Sequence, residues 1–208
     1  MRLNNKSIDI NDSVNIDVLG NSKINIINPD SDIKLNIHLK DNSNLIINDF
    51  NETKNDIDYN IIQDNNSIFN MYHTFRISDN YNINYKVNFL GNNNINNVYI
   101  HGVSNGMVSM NVDGILPSGG ENNIVNEDIK VLTIHGSCFI SPMLHVSNLN
   151  VIANHKTAIS KIDENIIFYL ESKGINRASA EELIENGYLY GIYEDKEFIK
   201  RIRSDINE

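Results

Sequence analysis

The chain of 208 residues has no tryptophan, one cysteine, three prolines, and 17 basic against 27 acidic residues. Each scarcity removes a class of explanation. A single thiol, Cys138, cannot close an intramolecular disulfide, and no cysteine pair stands at zinc-site spacing. A reducing, cytoplasmic location is therefore expected. The net charge of −10, without a basic cluster, argues against a nucleic-acid surface, because neutralising phosphates takes concentrated Lys and Arg. No stretch approaches the roughly 18 consecutive apolar residues of a membrane-spanning helix. The N-terminus, MRLNNKSIDINDSVNIDV, lacks the apolar core of a signal peptide. The expectation is a soluble, unprocessed protein with neither nucleic acid nor membrane among its partners.

Catalytic signatures are missing too: no P-loop, no Rossmann glycine fingerprint, no G-x-S-x-G elbow and no H-E-x-x-H. Ser118-Gly119-Gly120, after Pro117, lacks the Lys and following helix of a phosphate cradle and reads as a turn. A solenoid lyase or hydrolase needs acidic and basic side chains on one coil face, for which only Glu121, Glu127 and Asp128 are candidates. No catalytic residue is assigned, and the chain is not read as an enzyme.

What is abundant is Asn, with 38 residues, and Ile, with 34, against 13 Leu. From about residue 8 to 153, short β-branched runs alternate with polar residues. Val14-Asn15-Ile16-Asp17-Val18, Lys23-Ile24-Asn25-Ile26-Ile27 and Ile33-Lys34-Leu35-Asn36-Ile37-His38-Leu39 begin a series that continues to Met143-Leu144-His145-Val146. Period two marks half-buried strands, and the Asn, Asp, Gly and Ser between them tolerate the left-handed backbone of bends. Two architectures satisfy many short strands at even spacing: a β-sandwich or barrel, and a parallel β-solenoid. Hairpin dipeptides are almost absent from the first hundred residues and appear later as Asn105-Gly106, Asp113-Gly114 and Gly119-Gly120. Asn at recurring bends under inward Ile and Val favours the solenoid. The aromatic segment from Ile57 to Tyr85 is less regular and reads as irregular coils.

Near residue 161 the composition changes. Only four Asn remain in the last 47 residues, and the hydrophobic period moves to about 3.6. A first helix places Ile162, Ile166, Ile167 and Leu170 on one stripe, with Asp163 as cap and Gly174 beyond its end. A second runs from Ala178, capped by Asn176 and closed by Gly187, and a third runs from Glu194 to Ile206. The division is a β body over 1–161 and a helical segment over 162–208.

Six histidines remain as possible ligands: His38, His73, His101, His135, His145 and His155. His101 and His135 both lie in Ile-His-Gly, which suggests an echo of a coil repeat. His38 and His145 alternate with buried-type neighbours and should face outward. Cys138 follows His135 by three residues, but a lone Cys in an apolar run is more often packed and inert.

The run from Lys130 to Gly187 resembles the carboxy-terminal part of the SufB/SufD family of the SUF iron–sulfur cluster assembly system. The matching segments are Val131-Leu132-Thr133, Pro142-Met143-Leu144-His145-Val146, Ala153-Asn154-His155, Ser160-Lys161-Ile162-Asp163-Glu164, Phe168-Tyr169-Leu170-Glu171-Ser172-Lys173-Gly174-Ile175 and Ala180-Glu181-Glu182-Leu183-Ile184-Glu185-Asn186-Gly187-Tyr188. The resemblance implies a right-handed parallel β-helix whose terminal helices dock a SufC-type ABC ATPase. It also implies pairing, with a SufB/SufD-like subunit or a second copy, through β-helix edges near His155. Docking is expected at Tyr169, Leu170, Ile184 and Tyr188, while Phe168 and Leu183 are expected to pack on the body. The family's cluster-holding Cys, about fifteen residues before the Pro, falls here near Glu127. His155 is retained, and the Glu that follows it in the family is Lys156. His155 and Glu127 are thus the candidate metal residues, for iron or an iron–sulfur cluster shared transiently with a partner. The chain resembles a partner subunit more than a full scaffold. The competing reading is a structural or binding β-solenoid with no role in cluster assembly.

Overall fold

In the computed structural model the residues described are 1–117, 119–147 and 149–205. The chain winds as strands β1 (Arg2–Leu3), β2 (Ser7–Asp9), β3 (Val14–Val18), β4 (Asn21–Ile27), β5 (Ile33–Leu39), β6 (Asn44–Asn51) and β7 (Ile57–Gln63). It continues through β8 (Ile68–Ile77), β9 (Tyr81–Phe89), β10 (Ile95–Ser104), β11 (Met107–Leu116), β12 (Asn123–Thr133), β13 (Ser137–Val146) and β14 (Val151–Ser160). Consecutive strands alternate between two seven-stranded sheets: the odd-numbered strands form sheet A and the even-numbered ones sheet B. Every paired neighbour is parallel. The solenoid is therefore the architecture adopted, and the glycine dipeptides close no hairpins. Asp113-Gly114 lies inside β11, where a Cβ on Gly114 would press on the end of the Leu144 side chain.

Alternation explains the core. Inward positions carry Ile24, Ile47, Met71 and Val98 stacked rung upon rung in sheet B, and Leu35, Tyr59, Tyr85 and Val112 in sheet A. The aromatic segment 57–85 was expected to be irregular, yet it supplies three regular strands, β7 to β9. Its Tyr59, Phe69, Phe75, Tyr81 and Tyr85 fill the middle of the core. Large rings and polar inward residues had blurred the alternation there.

The asparagines hold the bends. Asn42, Asn66, Asn93 and Asn122 have φ of 60, 56, 57 and 55°, a left-handed backbone that Asn tolerates better than other residues with a side chain. Their amides form a ladder, each Nδ2 donating to the Oδ1 one coil below at 3.3, 3.1 and 3.2 Å. A second ladder on the face of sheet B joins Asn70, Asn97, Asn126 and Asn154. Where bends touch backbone to backbone, only glycine fits: a Cβ on Gly136 would stand 1.9 Å from the Gly106 carbonyl oxygen.

Three helices follow: α1 (Glu164–Ser172), α2 (Arg177–Tyr190) and α3 (Lys196–Asp205). Asp163 and Asn176 cap α1 and α2 by accepting from the backbone N–H of Asn165 and Ser179. Gly174, at φ 87°, ends α1. Gly187 does not close α2, which continues to Tyr190, and α3 begins at Lys196 rather than Glu194, with Ile206 outside the described residues. The helices run back along the outer face of sheet B. Leu189, Ile184 and Tyr188 pack on Val103 and Leu132, and Tyr193, Phe198 and Ile202 cover Phe50. Lys23 meets Asp195 at 2.6 Å and Arg201 meets Asp9 at 3.0 Å, so the tail reaches back to the first rungs. No described helix is long and apolar enough to cross a membrane.

Candidate functional site

The two ends of the solenoid are built differently. At the first end, β1 and β2 have two and three residues, and Leu3 is buried. At the other end β13 and β14 have ten residues each, and each pairs on one side only. The helices lie on the flank of sheet B, so the last rung is bare: Phe139, Met143, Val146, Leu149, Ile152 and Ile159 are all exposed. Together β13 and β14 carry one formal charge, Lys156. Two long, almost uncharged edges ending an apolar core form a surface that proteins ordinarily cover.

Glu127 and His155 meet at this end. They occupy the inward column of Ile24, Ile47, Met71 and Val98, as its last two members, one rung apart on β12 and β14. His155 Nδ1 lies 2.6 Å from Glu127 Oε2, with the imidazole 27% exposed and the carboxyl fully buried. Neither carboxyl oxygen has an aligned hydrogen-bond partner. Burial, with help from the charge of Asp113, pushes the Glu127 carboxyl up to about 8, and burial lowers the His155 imidazole. Both shifts favour neutral partners, with the proton on Glu127. A cation would reverse that preference, since it rewards the carboxylate and needs the neutral imidazole that is already present. One carboxylate and one imidazole are half of a typical four-ligand set. Among the described residues no group of three or more His, Cys, Asp or Glu side chains comes together.

The other candidates disperse. His38 faces outward and bonds Asp64 at 2.9 Å and Lys40 at 2.7 Å. His145 is exposed, 3.5 Å from Asp113. His101 and His135 are not repeat equivalents, for His101 pairs in register with Lys130 while His135 lies in the bend beyond β12. Burial takes His101 down to about 4, beneath α2 and beside Tyr188. Cys138 packs against the core, and burial raises its thiol to about 11, which keeps it protonated.

On the helices, Phe168 and Leu183 are not packed on the body: they are 73% and 54% exposed, and Ile166 and Tyr169 are exposed with them. On α1, Ile166, Phe168 and Tyr169 lie on the side away from Ile167, its buried member, while Leu183 is exposed on α2. Leu170 is half-buried, whereas Ile184 and Tyr188 are half-buried against Val103 and Leu132.

One cluster escaped the sequence reading. Asp49, Tyr59, His73 and Tyr81 converge in the middle of the core, each at most 1% exposed. His73 Nδ1 lies 2.7 Å from Asp49 Oδ2, which also accepts from the Tyr59 hydroxyl, and the Tyr81 hydroxyl is 3.1 Å from His73 Nε2. The available signal was an Asp and a His at inward positions, one coil apart.

A family model described as SUF system FeS cluster assembly, SufBD core domain, matches residues 62–188, or 127 of the 208 residues. The match extends well upstream of the motifs at Lys130–Gly187 and takes in β8 to β14 with α1 and most of α2. No curated protein matches the chain.

Proposed function

Because the chain belongs to the SufB/SufD family of the SUF iron–sulfur assembly system, we propose that it is a non-enzymatic subunit that pairs through β13 and β14 and docks a SufC-type ABC ATPase. The observation that carries this reading is the bare end of the solenoid, where long edges, uncovered apolar side chains and the Glu127–His155 pair coincide. The partner is a like β-helix, either a SufB/SufD-like subunit or a second copy of the chain. By register, β14 directs Val151, Ala153, His155, Thr157 and Ile159 along one face. The sequence apolar, small, His, small, apolar has the same pattern in both directions, which suits antiparallel pairing with a strand of like pattern. Such pairing continues both sheets across the junction.

Iron, or a nascent cluster, is the cargo at this junction. Glu127 and His155 supply two donors, and the partner supplies the remainder. The ATPase meets the exposed side chains of α1 and α2, Ile166, Phe168, Tyr169 and Leu183, with Leu170, Ile184 and Tyr188 half-buried on the same helices. This surface is anchored because α3 and Tyr193 fasten the tail to β4, β6 and β8.

Co-purification with a SufC-type ATPase from the same source tests the docking. The intact chain is expected to retain the ATPase, and Phe168→Glu or Tyr169→Glu to lose it without loss of fold, since both side chains are already in solvent. Failure of the intact chain to retain any such ATPase would leave the alternative, a structural or binding β-solenoid.

A further inference from the structure

The strand that ends sheet B is complementary to itself. The N–H groups of Ile68, Ile95 and Ile124, which stand in one register row, each donate to the coil before. Ile152 continues that row on β14. Because backbone groups alternate in direction along a parallel strand, the even-numbered residues of β14 turn theirs to β12. The odd-numbered ones, Val151, Ala153, His155, Thr157 and Ile159, turn theirs to the free edge, and with no proline in β14 each has an N–H to give. On β13 the odd-numbered Ser137 and Ser147 donate back to Gly106 and Leu116, so Pro142 falls at the free edge and leaves a gap in the middle of it. It is β14 that sets the register of any partner. Antiparallel pairing with a second β14, His155 on the two-fold axis, puts Asn154 opposite Lys156, Ala153 opposite Thr157, Ile152 opposite Ala158 and Val151 opposite Ile159. Asn154 ends its amide ladder: Nδ2 donates to Asn126 at 2.9 Å, and Oδ1 lacks the amide of a following coil that fills this place at Asn70, Asn97 and Asn126. Lys156 is the single charge on the two end strands, and among the described residues it forms no ion pair. In the pairing these two exposed side chains meet across a non-hydrogen-bonded position with Cα atoms about 4.5 Å apart, and each Lys156 donates to the Asn154 Oδ1 of the other copy. Sliding the partner by two residues one way sets Lys156 against Lys156, like charges directly opposite. Sliding it the other way sets Lys156 against Ile152. Only the register centred on His155 satisfies both polar groups.

We propose that the partner of this edge is a second copy of the chain, joined β14 to β14 with His155 on the two-fold axis, and that the two copies complete one metal site between them. The inference rests on the proposed pairing through the end of the solenoid and narrows its partner to one. A two-fold interface repeats every contact, so each complementary pair counts twice. One chain offers only Glu127 and His155, short of a donor set. Two copies gather two carboxylates and two imidazoles about the axis, four donors of the kinds that hold a single ferrous ion, with no thiolate among them. No subunit of another sequence is needed to complete it.

Light scattering on the intact, chelator-treated chain gives the first reading, and twice the chain mass is expected with no other protein present. Disulfide trapping in a Cys138→Ser background reads the register. Asn154→Cys and Lys156→Cys, both at exposed positions, are oxidised singly and as an equimolar mixture left to exchange. Position 154 faces position 156 within disulfide reach, whereas either cysteine alone must span a diagonal of about 7–8 Å to its own copy. The mixture is therefore expected to give about fivefold more cross-linked dimer than either variant alone, and equal yields overturn the register. Ferrous iron added to wild type is expected to saturate at one ion per two chains. One ion per chain, or none, overturns the shared site. A monomeric chain overturns the whole proposal, and co-expression with a SufB/SufD-like subunit of the same source then separates it from the reading on which it rests. A one-to-one complex with that subunit leaves the proposed function standing with a different partner, and no complex removes both.

Discussion

Sheet B twice stacks an imidazole one rung above a carboxyl group: His73 on Asp49 in the middle of the solenoid and His155 on Glu127 at its end. In both, Nδ1 faces the acid, at 2.7 and 2.6 Å. The surroundings make the difference. Around the inner pair, Tyr59 and Tyr81 supply hydroxyls to the carboxylate and to Nε2, and further rungs of Ile close over it. The outer pair has no rung above it, and Glu127 has no aligned partner at all. One local geometry therefore yields a sealed network when the stack continues and an incomplete site when it stops. Incompleteness at the end is what a partner or a cargo ion can satisfy.

The comparison breaks most sharply at the imidazoles. His73→Ala leaves the buried Asp49 carboxylate with only the Tyr59 hydroxyl and is expected to cost about 3–5 kcal/mol, read by urea denaturation. Tyr81→Phe removes one hydroxyl and leaves His73 Nε2 unmatched in a dry core, for about 1–3 kcal/mol. Should His73→Ala prove as mild as a surface change, the two pairs are equivalent and the contrast fails.

Glu127 sharpens the contrast through pH. Its folded-state carboxyl, near 8, lies above its ordinary value of 4.5, so its stabilising protonation is complete at low pH and is lost as pH rises through about 8. The lowered His155 works in the opposite sense, but only below the ordinary imidazole range. Between pH 7 and 8.5 Glu127 therefore acts alone of the two, and metal-free protein is expected to lose about 1 kcal/mol. Glu127→Gln flattens that slope. Denaturation midpoints at the two pH values measure it, and an equal slope in the variant would mean that the carboxyl is already ionised at pH 7.

How far this was legible in the sequence depends on which side chains speak locally. Alternation from Val14 to Leu39 and the recurrent Asn at bends are local patterns, and they favoured a solenoid over a sandwich. The coil length is not local: along the column Ile24, Ile47, Met71, Val98, Glu127, His155 it takes 23, 24, 27, 29 and 28 residues. A drifting period hides register, so nothing in spacing alone brings Glu127 under His155; the motif resemblance named both residues without pairing them. The Asp49–His73 pair had no motif to betray it, and its Tyr partners lay in the segment whose crowding masked the strands. Phe168 and Leu183 were misplaced because an amphipathic stripe shows that a face is apolar without showing what covers it.

The smallest expected effect on stability is the most informative for function. His155 is the only imidazole of the two stacks that touches solvent, at 27% against 0% for His73, and its loss removes no satisfied network. His155→Ala is therefore expected to move the denaturation midpoint by less than about 0.5 kcal/mol, in line with substitutions away from packed features. Its effect on iron is expected to be far larger. With only Glu127 left as a donor from this chain, ferrous iron retained after desalting falls at least tenfold, measured by a colorimetric chelator on protein purified with its partner subunit. A variant that is fully folded, still paired through β13 and β14, and empty of iron separates the terminal stack from the inner one by function. Undiminished iron in that variant would mean that the end of the solenoid is an interface alone, with the cargo held elsewhere.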